Sequence, residues 1–341
     1  MKKKNHVLVT GGAGYIGAHT VVELLNAGYE VTVIDSLERS ELRIVEGIKS
    51  ITGKEFSFHK IDCLDASAMK SLFEANQFDS VIHFAAYKSV NESVEKPLMY
   101  YQNNVGSLMT LLEAMKQYRV RDLIFSSSCT VYGQPDYIPV DESAPFKKAE
   151  SPYGASKQLC EHILEDMATV GIRVASLRYF NPIGAHPSGL IGELPIGVPN
   201  NLVPYVTQTA AGVRAQLTVF GNDYDTPDGS CVRDFIHVCD VASAHVNAIQ
   251  YLEDLKAGKV FEAFNLGTGK GVSVLELVQK FIEATGVNLN YKIGPRRPGD
   301  VEKVYANPEK IVKSLGWNPQ YDLGQSLKHA WQWEKKIHGL S

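Results

Sequence analysis

The chain has no apolar run approaching the ~20 residues that cross a bilayer, so no membrane partner is expected. Its basic start, "MKKKNHVLVT", leads into an apolar run too short for a secretory signal. Surplus positive charge is missing as well. Lys and Arg number 34 against 38 Asp and Glu, a net charge of −4, which supports neither nucleic acid nor an anionic membrane as a partner. Cysteines are few: Cys63, Cys129, Cys160, Cys231 and Cys239 show no C-x-x-C or metal spacing, so no metal is expected. They read as reduced thiols of a cytoplasmic protein. No histidine is evidently paired with Cys129, which argues against a cysteine nucleophile, and His186, His237 and His245 read as structural. There is no internal repeat and no low-complexity tract. What remains is an ordinary globular composition, 44% hydrophobic and 21% charged. Its 341 residues suffice for two domains, or for one large domain with an appended lobe.

The most legible segment is "HVLVTGGAGYIGAHTVVELLNAGYEVTVID", where His6 to Thr10 reads as a short buried strand and Tyr15 to Ala27 as a helix. The glycines between them fit two overlapping patterns: Gly12, Gly14 and Gly17 as G-x-G-x-x-G, and Gly11, Gly14 and Gly17 as G-x-x-G-x-x-G. Glycine there allows a tight turn, close approach of a pyrophosphate and close packing of helix on strand. The first helical turn then offers free N–H groups and a positive dipole end to phosphate. A glycine pattern alone is weak. Followed by a helix and a second strand, "YEVTVI", ending in Asp35, it predicts a dinucleotide-binding βαβ unit. Asp35 can accept hydrogen bonds from ribose hydroxyls and repel a 2′-phosphate, which favours NAD over NADP; Arg39 nearby pulls the other way.

Strand-like runs "VLVT", "VTVID", "FSFHKID", "SVIHFAA", "DLIFSSS" and "RVASLRYFN" alternate with helical stretches near 15–27, 40–51, 65–76, 97–118 and 152–169. This alternation predicts an α/β fold, a Rossmann-type doubly wound parallel sheet. After Asn181 the pattern changes. "NPIGAHPSGLIGELPIGVPNNLVPY" is rich in Pro and Gly and reads as an ordered substrate loop. Beyond it come a helix near 201–213, a strand "LTVFG", then "VRDFIHV", a helix from Cys239 to Glu253, a capped helix from Ser273 to Gly286 and a terminal amphipathic helix. Trp331 and Trp333 in that last helix read as packing residues. The expected division is 1–180 as the NAD-binding domain and 181–341 as mainly a smaller α/β substrate lobe, with elements near 230–255 returning to the first domain.

Ser128, Tyr153 and Lys157 carry the chemistry. Tyr153 and Lys157 stand four apart in "SPYGASKQLCEHIL", which puts both on one helix face. Ser128 ends the strand-like run upstream. A free phenol, with a pKa near ~10, is a poor base at neutral pH. A neighbouring ammonium together with an oxidised nicotinamide would favour the phenolate. Tyr-x-x-x-Lys by itself is usually an ordinary surface pair; the nucleotide-binding signature upstream changes that reading.

Eight motifs in order, "TGGAGYIG", "VIHFAA", "SSSCTVYG", "SPYGASK", "LRYFNPIGAHPSG", "PNNLVPY", "FGNDYDTPDGSCVRDFIHV" and "PRRPGD", cover nearly the whole chain. They resemble the UDP-glucose 4-epimerases of the extended short-chain dehydrogenase/reductase group. The first four are shared widely in that group; the later ones point to the epimerase branch. The resemblance implies interconversion of UDP-glucose and UDP-galactose through a 4-keto sugar, with tightly held NAD taking and returning the hydride at carbon 4. It implies Tyr153 as acid/base, Ser128 as its partner at the reacting oxygen, and Lys157 holding the nicotinamide ribose. By the same resemblance, NAD would meet Gly11, Gly14, Tyr15, Ile16, Gly17, Asp35, Ser36, Ser40, Asp62 and Cys63. Further along it would meet Phe84, Ala85, Ala86, Lys88, Asn103, Ser126, Tyr153, Lys157 and Phe180. The UDP-sugar would meet Lys88, Ser128, Tyr153, Asn181, Asn201, Leu202, Thr218, Val219 and Phe220. Arg233 and Arg297 would take its pyrophosphate, Asp300 a ribose, and Val304 would stand near the 2-position of the hexose. Arginine suits phosphate because its planar fork donates in pairs. A homodimer is implied too, through the helices near 97–118 and 152–169, with Met109, Leu112, Leu159 and Ile163 as candidate contacts.

Three rival readings stay open. A nucleotide-sugar 4,6-dehydratase usually carries an Asp-Glu pair after the catalytic hydroxyl residue, where this chain has Cys129 and Thr130. A 4-epimerase of another UDP-sugar (N-acetylhexosamine, xylose/arabinose or glucuronate) is excluded less firmly. A catalytically silent NAD-binding protein is opposed by the intact Ser128, Tyr153 and Lys157.

Overall fold

The computed structural model describes residues 5–255, 258, 260–297 and 301–340. In chain order the first half runs β1 (His6–Thr10), α1 (Tyr15–Ala27), β2 (Glu30–Asp35), α2 (Leu42–Thr52), β3 (Ser57–Lys60), α3 (Ala66–Ala75) and β4 (Ser80–His83). It continues with α4 (Val90–Glu95), α5 (Pro97–Gln117), β5 (Asp122–Ser128), α6 (Pro152–Thr169) and β6 (Arg173–Tyr179). The second half has β7 (Asn181–Ile183), α7 (Leu202–Ala210), β8 (Leu217–Phe220), β9 (Val232–Arg233), β10 (Phe235–His237) and α8 (Val238–Asp254). Then come β11 (Val260–Leu266), β12 (Val272–Ser273), α9 (Val274–Thr285), β13 (Tyr291–Gly294), β14 (Lys303–Val304), α10 (Glu309–Leu315) and α11 (Leu323–Ile337).

Seven parallel strands form the main sheet in the order β11-β6-β5-β4-β1-β2-β3. This is a Rossmann-type α/β sheet, and its order reverses direction between β1 and β4. Ligands of such sheets bind beyond the carboxyl ends of the strands at that switch point. Alternation along each strand feeds two cores. Val7, Val9, Val31, Val33 and Ile124 pack on the face covered by α1, α2 and α8. Leu8, Ile34, Leu123 and Phe125 pack on the face covered by α3, α5 and α6. The sheet draws on the second half of the chain: β11 pairs with β6, and α8 lies on α1.

Local signals set the helix ends. Gly28 closes α1 in the left-handed region, φ 90°. Asp65 caps α3 by accepting from the N–H groups of Ser67 and Ala68. Proline opens α5 and α6 at the position that needs no N–H partner. The capping box of Ser273 and Glu276 is formed at α9, and Gly286 ends it. The helix expected over 201–213 stops at Ala210 because Gly212 turns at φ 74°. A third core, containing Val203, Val206, Leu277, Phe281 and Leu327, holds α7, α9 and α11 together. Trp333 is buried and donates to the Glu193 carbonyl at 2.9 Å, while Trp331 meets Phe281 edge-on; both are packing residues.

Candidate active site

The three catalytic candidates meet at the carboxyl end of β5. Ser128 is the last residue of that strand, and Tyr153 and Lys157 occupy the first turns of α6. The Ser151 hydroxyl starts α6 by accepting from Gly154 N–H at 3.2 Å, which fixes where Tyr153 emerges. Lys157 Nζ donates to the Ser126 carbonyl at 2.5 Å and lies 4.8 Å from the centroid of the Phe125 ring. Ser128 Oγ accepts from Thr130 twice, from N–H at 3.2 Å and Oγ1 at 3.0 Å. Its own proton is thereby left for the Tyr153 phenol, with which it is hydrogen-bonded.

Burial dominates the electrostatics here. It pushes the Tyr153 phenol up to about 12, with the Ser128 hydrogen bond pulling the other way. It also brings the Lys157 ammonium down to about 8, opposed by the Cys160 thiol and the Glu161 carboxylate. The protein groups alone therefore do not make a phenolate. A second cation comes with an oxidised nicotinamide. Burial pushes the Cys129 thiol up to about 12, so it stays protonated and is no nucleophile.

The first βα turn fits a dinucleotide. Gly11 has φ 69°, and a Cβ there would come 2.8 Å from Ala85 N. A Cβ on Gly17 would run into the Gly11 carbonyl, so helix and turn can be this close only with glycine. Gly14 precedes α1 without a side-chain cap, which leaves the N–H groups of the first turn, at Tyr15, Ile16 and Gly17, for a phosphate. The Asp35 carboxylate braces the turn, accepting from Ala13 N–H at 3.1 Å, Leu37 N–H at 2.9 Å and Ser40 Oγ at 2.7 Å. Two carboxylate oxygens retain acceptor capacity beyond those three bonds. Arg39 does not oppose NAD as the sequence left open, for it is bound to Glu92 at 3.0 Å. Cys63 is buried after β3 beside Asp62, and Asn103 Nδ2 donates to Asn104 Oδ1 at 3.0 Å on α5.

On the other side of the cleft, β9 and β14 place Arg233 directly opposite Val304. Arg233 lies within electrostatic reach of Cys129, next to Ser128. Val304 packs with Tyr132 and Phe180, whereas the ring of Tyr305 turns away, against Gly271. Asn181 begins β7 directly after Phe180. On β8, Val219 is buried in the third core, so only its main chain can meet a ligand, while Thr218 and Phe220 point the other way. Arg297 lies 5.7 Å from the Phe220 ring centroid. Asp300 lies outside the described residues.

Sequence reasoning missed Thr130, Tyr179 and Glu193. Glu193 binds Lys88 Nζ at 2.7 Å and accepts from Asn201 Nδ2 at 2.8 Å, joining two expected ligand residues that are far apart in sequence. Tyr179 is near Tyr153 and shares a 2.6 Å hydrogen bond with His245 Nε2. Only Thr130, two residues beyond Ser128, had a local signal, the short-range hydroxyl bond that Ser and Thr make at turns.

The family model described as GDP-mannose 4,6 dehydratase matches residues 8–330. A UDP-glucose 4-epimerase of Dictyostelium discoideum is 49% identical over 97% of this chain and 96% of its own. The chain belongs to the UDP-glucose 4-epimerase family. A solved UDP-glucose 4-epimerase from Stenotrophomonas maltophila, with bound NAD and formylated UDP-arabinopyranose, superposes with a TM-score of 0.95 at 47% identity, covering 99% of both chains. That from Bifidobacterium longum, in complex with NAD⁺ and UDP, gives 0.93 at 45% identity, covering 97% of this chain and 98% of that one. At the two positions after Ser128, Cys129 is a protonated thiol and Thr130 is tied to Ser128.

Proposed function

We propose that this chain is an NAD-dependent isomerase that interconverts UDP-glucose and UDP-galactose. The observation that carries the reading is the meeting of Ser128, Tyr153 and Lys157 at the switch-point edge of a sheet whose first turn suits a dinucleotide. NAD⁺, when bound, supplies a hydride acceptor for carbon 4 of the hexose and returns the hydride to the opposite face. The chain's own work is proton transfer and orientation. Tyr153, as the phenolate, takes the proton of the 4-hydroxyl while Ser128 donates a hydrogen bond to the reacting oxygen, and the phenol gives the proton back to that oxygen after the 4-keto sugar has turned over. Lys157, already directed at the end of β5 by the Ser126 carbonyl, holds the nicotinamide ribose and adds the cation that favours phenolate.

The remaining assignments follow the same reading. Gly11, Gly14–Gly17, Asp35, Ser36, Ser40, Asp62, Cys63, Phe84–Ala86, Lys88, Asn103, Ser126 and Phe180 surround NAD. Asn181, Asn201, Leu202, Thr218–Phe220, Arg233, Arg297, Asp300 and Val304 receive the UDP-sugar. The uncapped N-terminus of α7, after Asn201, adds N–H donors for its phosphates. Residues 1–180 serve NAD and 181–341 mainly the UDP-sugar, with α8 and β11 built into the NAD side. The protein acts as a homodimer in the cytoplasm, a location its five unpaired cysteines suit. The test is to denature purified protein, identify released NAD, and assay conversion of UDP-galactose. Tyr153→Phe should keep NAD and lose turnover by ~10²–10⁴-fold or more. Near-normal turnover in that variant would sink the mechanism.

A further inference from the structure

We propose that Arg39, Tyr87 and Glu92 form a strap over the dinucleotide groove that slows the release of NAD. In the sheet, β1 lies between β2 and β4, so the segments following β2 and β4 leave on either side of the glycine turn. Side chains join those two segments across it. Arg39 Nη2 donates to Glu92 Oε1 at 3.0 Å, and its guanidinium lies 4.7 Å from the centroid of the Tyr87 ring. Tyr87 in turn donates its hydroxyl to Glu38 Oε2 at 2.6 Å, so the link is made in both directions.

The β4 side of the strap is rigid. The second oxygen of Glu92 accepts from the hydroxyl of Tyr100 at 2.9 Å, and Tyr100 is fully buried. The main chain of Tyr87 is clamped by buried Asn104, its N–H donating to Oδ1 at 2.8 Å and its carbonyl accepting from Nδ2 at 3.0 Å. An exposed ion pair alone holds little. Here the guanidinium also stacks on an aromatic face, and its partners are held in place before it arrives. The strap residues interleave with those assigned to NAD: Ser36 and Ser40 flank Glu38 and Arg39, and Ala86 and Lys88 flank Tyr87. A dinucleotide running from Asp35 toward Lys157 passes beneath the strap, and its exit requires the strap to open.

The test follows NAD leaving the purified holoenzyme, with released NAD⁺ trapped by an added dehydrogenase and its reducing substrate. Arg39→Ala and Glu92→Gln should each speed release about fivefold to tenfold. The double variant should be no faster than the faster single, because both remove one link. Arg39→Lys, which keeps charge but loses the planar stack, should fall between. Release within about twofold of wild type in both singles, or effects that multiply in the double variant, would overturn the strap. The proposal rests on the NAD reading above. A wild-type protein that yields no NAD on denaturation would end that reading, whereas loaded wild type with unchanged variants would end the strap alone.

Discussion

Burial of Lys157 has a consequence for stability that can be separated from its part in turnover. In the folded chain its ammonium is brought down to about 8, below the ~10.4 of a free lysine. Between those values the unfolded chain holds a proton that the folded chain has lost, so this residue's contribution to stability rises with pH across that window. Below about 8 both states are protonated, and the folded state bears the cost of a buried charge. NAD-stripped wild type should therefore gain on Lys157→Met, in urea midpoints, when the pH is raised from about 7 to about 10. Parallel pH profiles for the two proteins would show that the buried charge is not strained. A second residue bears on breadth of substrate. Val304 packs toward Phe180 and Tyr132 and lies opposite Arg233, while Tyr305 faces Gly271. On the proposed reading of the site, a small side chain stands where a tyrosine would fill space, and UDP-N-acetylgalactosamine should be converted weakly. Val304→Tyr should abolish that activity and spare UDP-galactose, in paired assays of both substrates. Wild type without N-acetyl activity would mean that another wall closes the pocket. At this scale the sequence shows Tyr153 and Lys157 plainly, because one helix turn separates them. It does not show Glu193, whose partners Lys88 and Asn201 approach only in the folded chain.

Helix α6 carries two catalytic candidates, and its position on the sheet depends on a carboxylate that takes no part in the chemistry. Glu161, one turn beyond Lys157, is fully buried and accepts from Arg178 Nη2 at 2.6 Å, Ser176 Oγ at 3.0 Å and Ser127 Oγ at 2.5 Å. It therefore ties α6 both to β6 and to the residue preceding Ser128 on β5. Arg178 reaches on to the hydroxyl of Tyr132 at 2.8 Å, which donates to Asn265 on β11 at 2.6 Å. Removing one member leaves a buried charge uncompensated, a defect that typically costs about 3–5 kcal/mol. Glu161→Gln should lower stability by that order in urea unfolding, and a loss under about 1 kcal/mol would show that water or rearrangement satisfies Arg178. Long elements such as α1, α5 and α6 were legible because their apolar spacing persists over several turns. The six residues of α4 and the seven of α10 are too short to display a period. The two-residue strands β12 and β14 are defined by their partner β9 rather than by any local pattern, whereas β9 itself lies within the run "VRDFIHV".

For the molecule as a whole, the exposed faces of α5 and α6 are the part of the surface that a second copy would cover. The two helices pack against each other. Of the four residues the sequence offered as intersubunit contacts, the fold keeps Leu112 in the core at 4% exposure and packs Ile163 against it. Met109 and Leu159 remain 50% and 45% exposed, and Leu98 is 74% exposed. Leu98 and Met109 are eleven residues apart, which at ~100° per residue returns to within about 20° of the same direction. They form one apolar line along α5. Periodicity marks all these positions as apolar; only the placement of the sheet decides which of them face inward, and the sequence is silent on that. Apolar side chains in line on neighbouring helices suit an isologous two-fold contact, in which each copy presents the same patch to the other. The protein should run as a dimer in light scattering at micromolar concentration, and Leu98→Arg with Met109→Arg should yield a folded monomer. Since neither residue is in a core, the far-UV circular dichroism of that variant should match wild type. A wild type that scatters only as monomer would refute the dimer, and a variant that stays dimeric with both arginines in place would move the interface elsewhere.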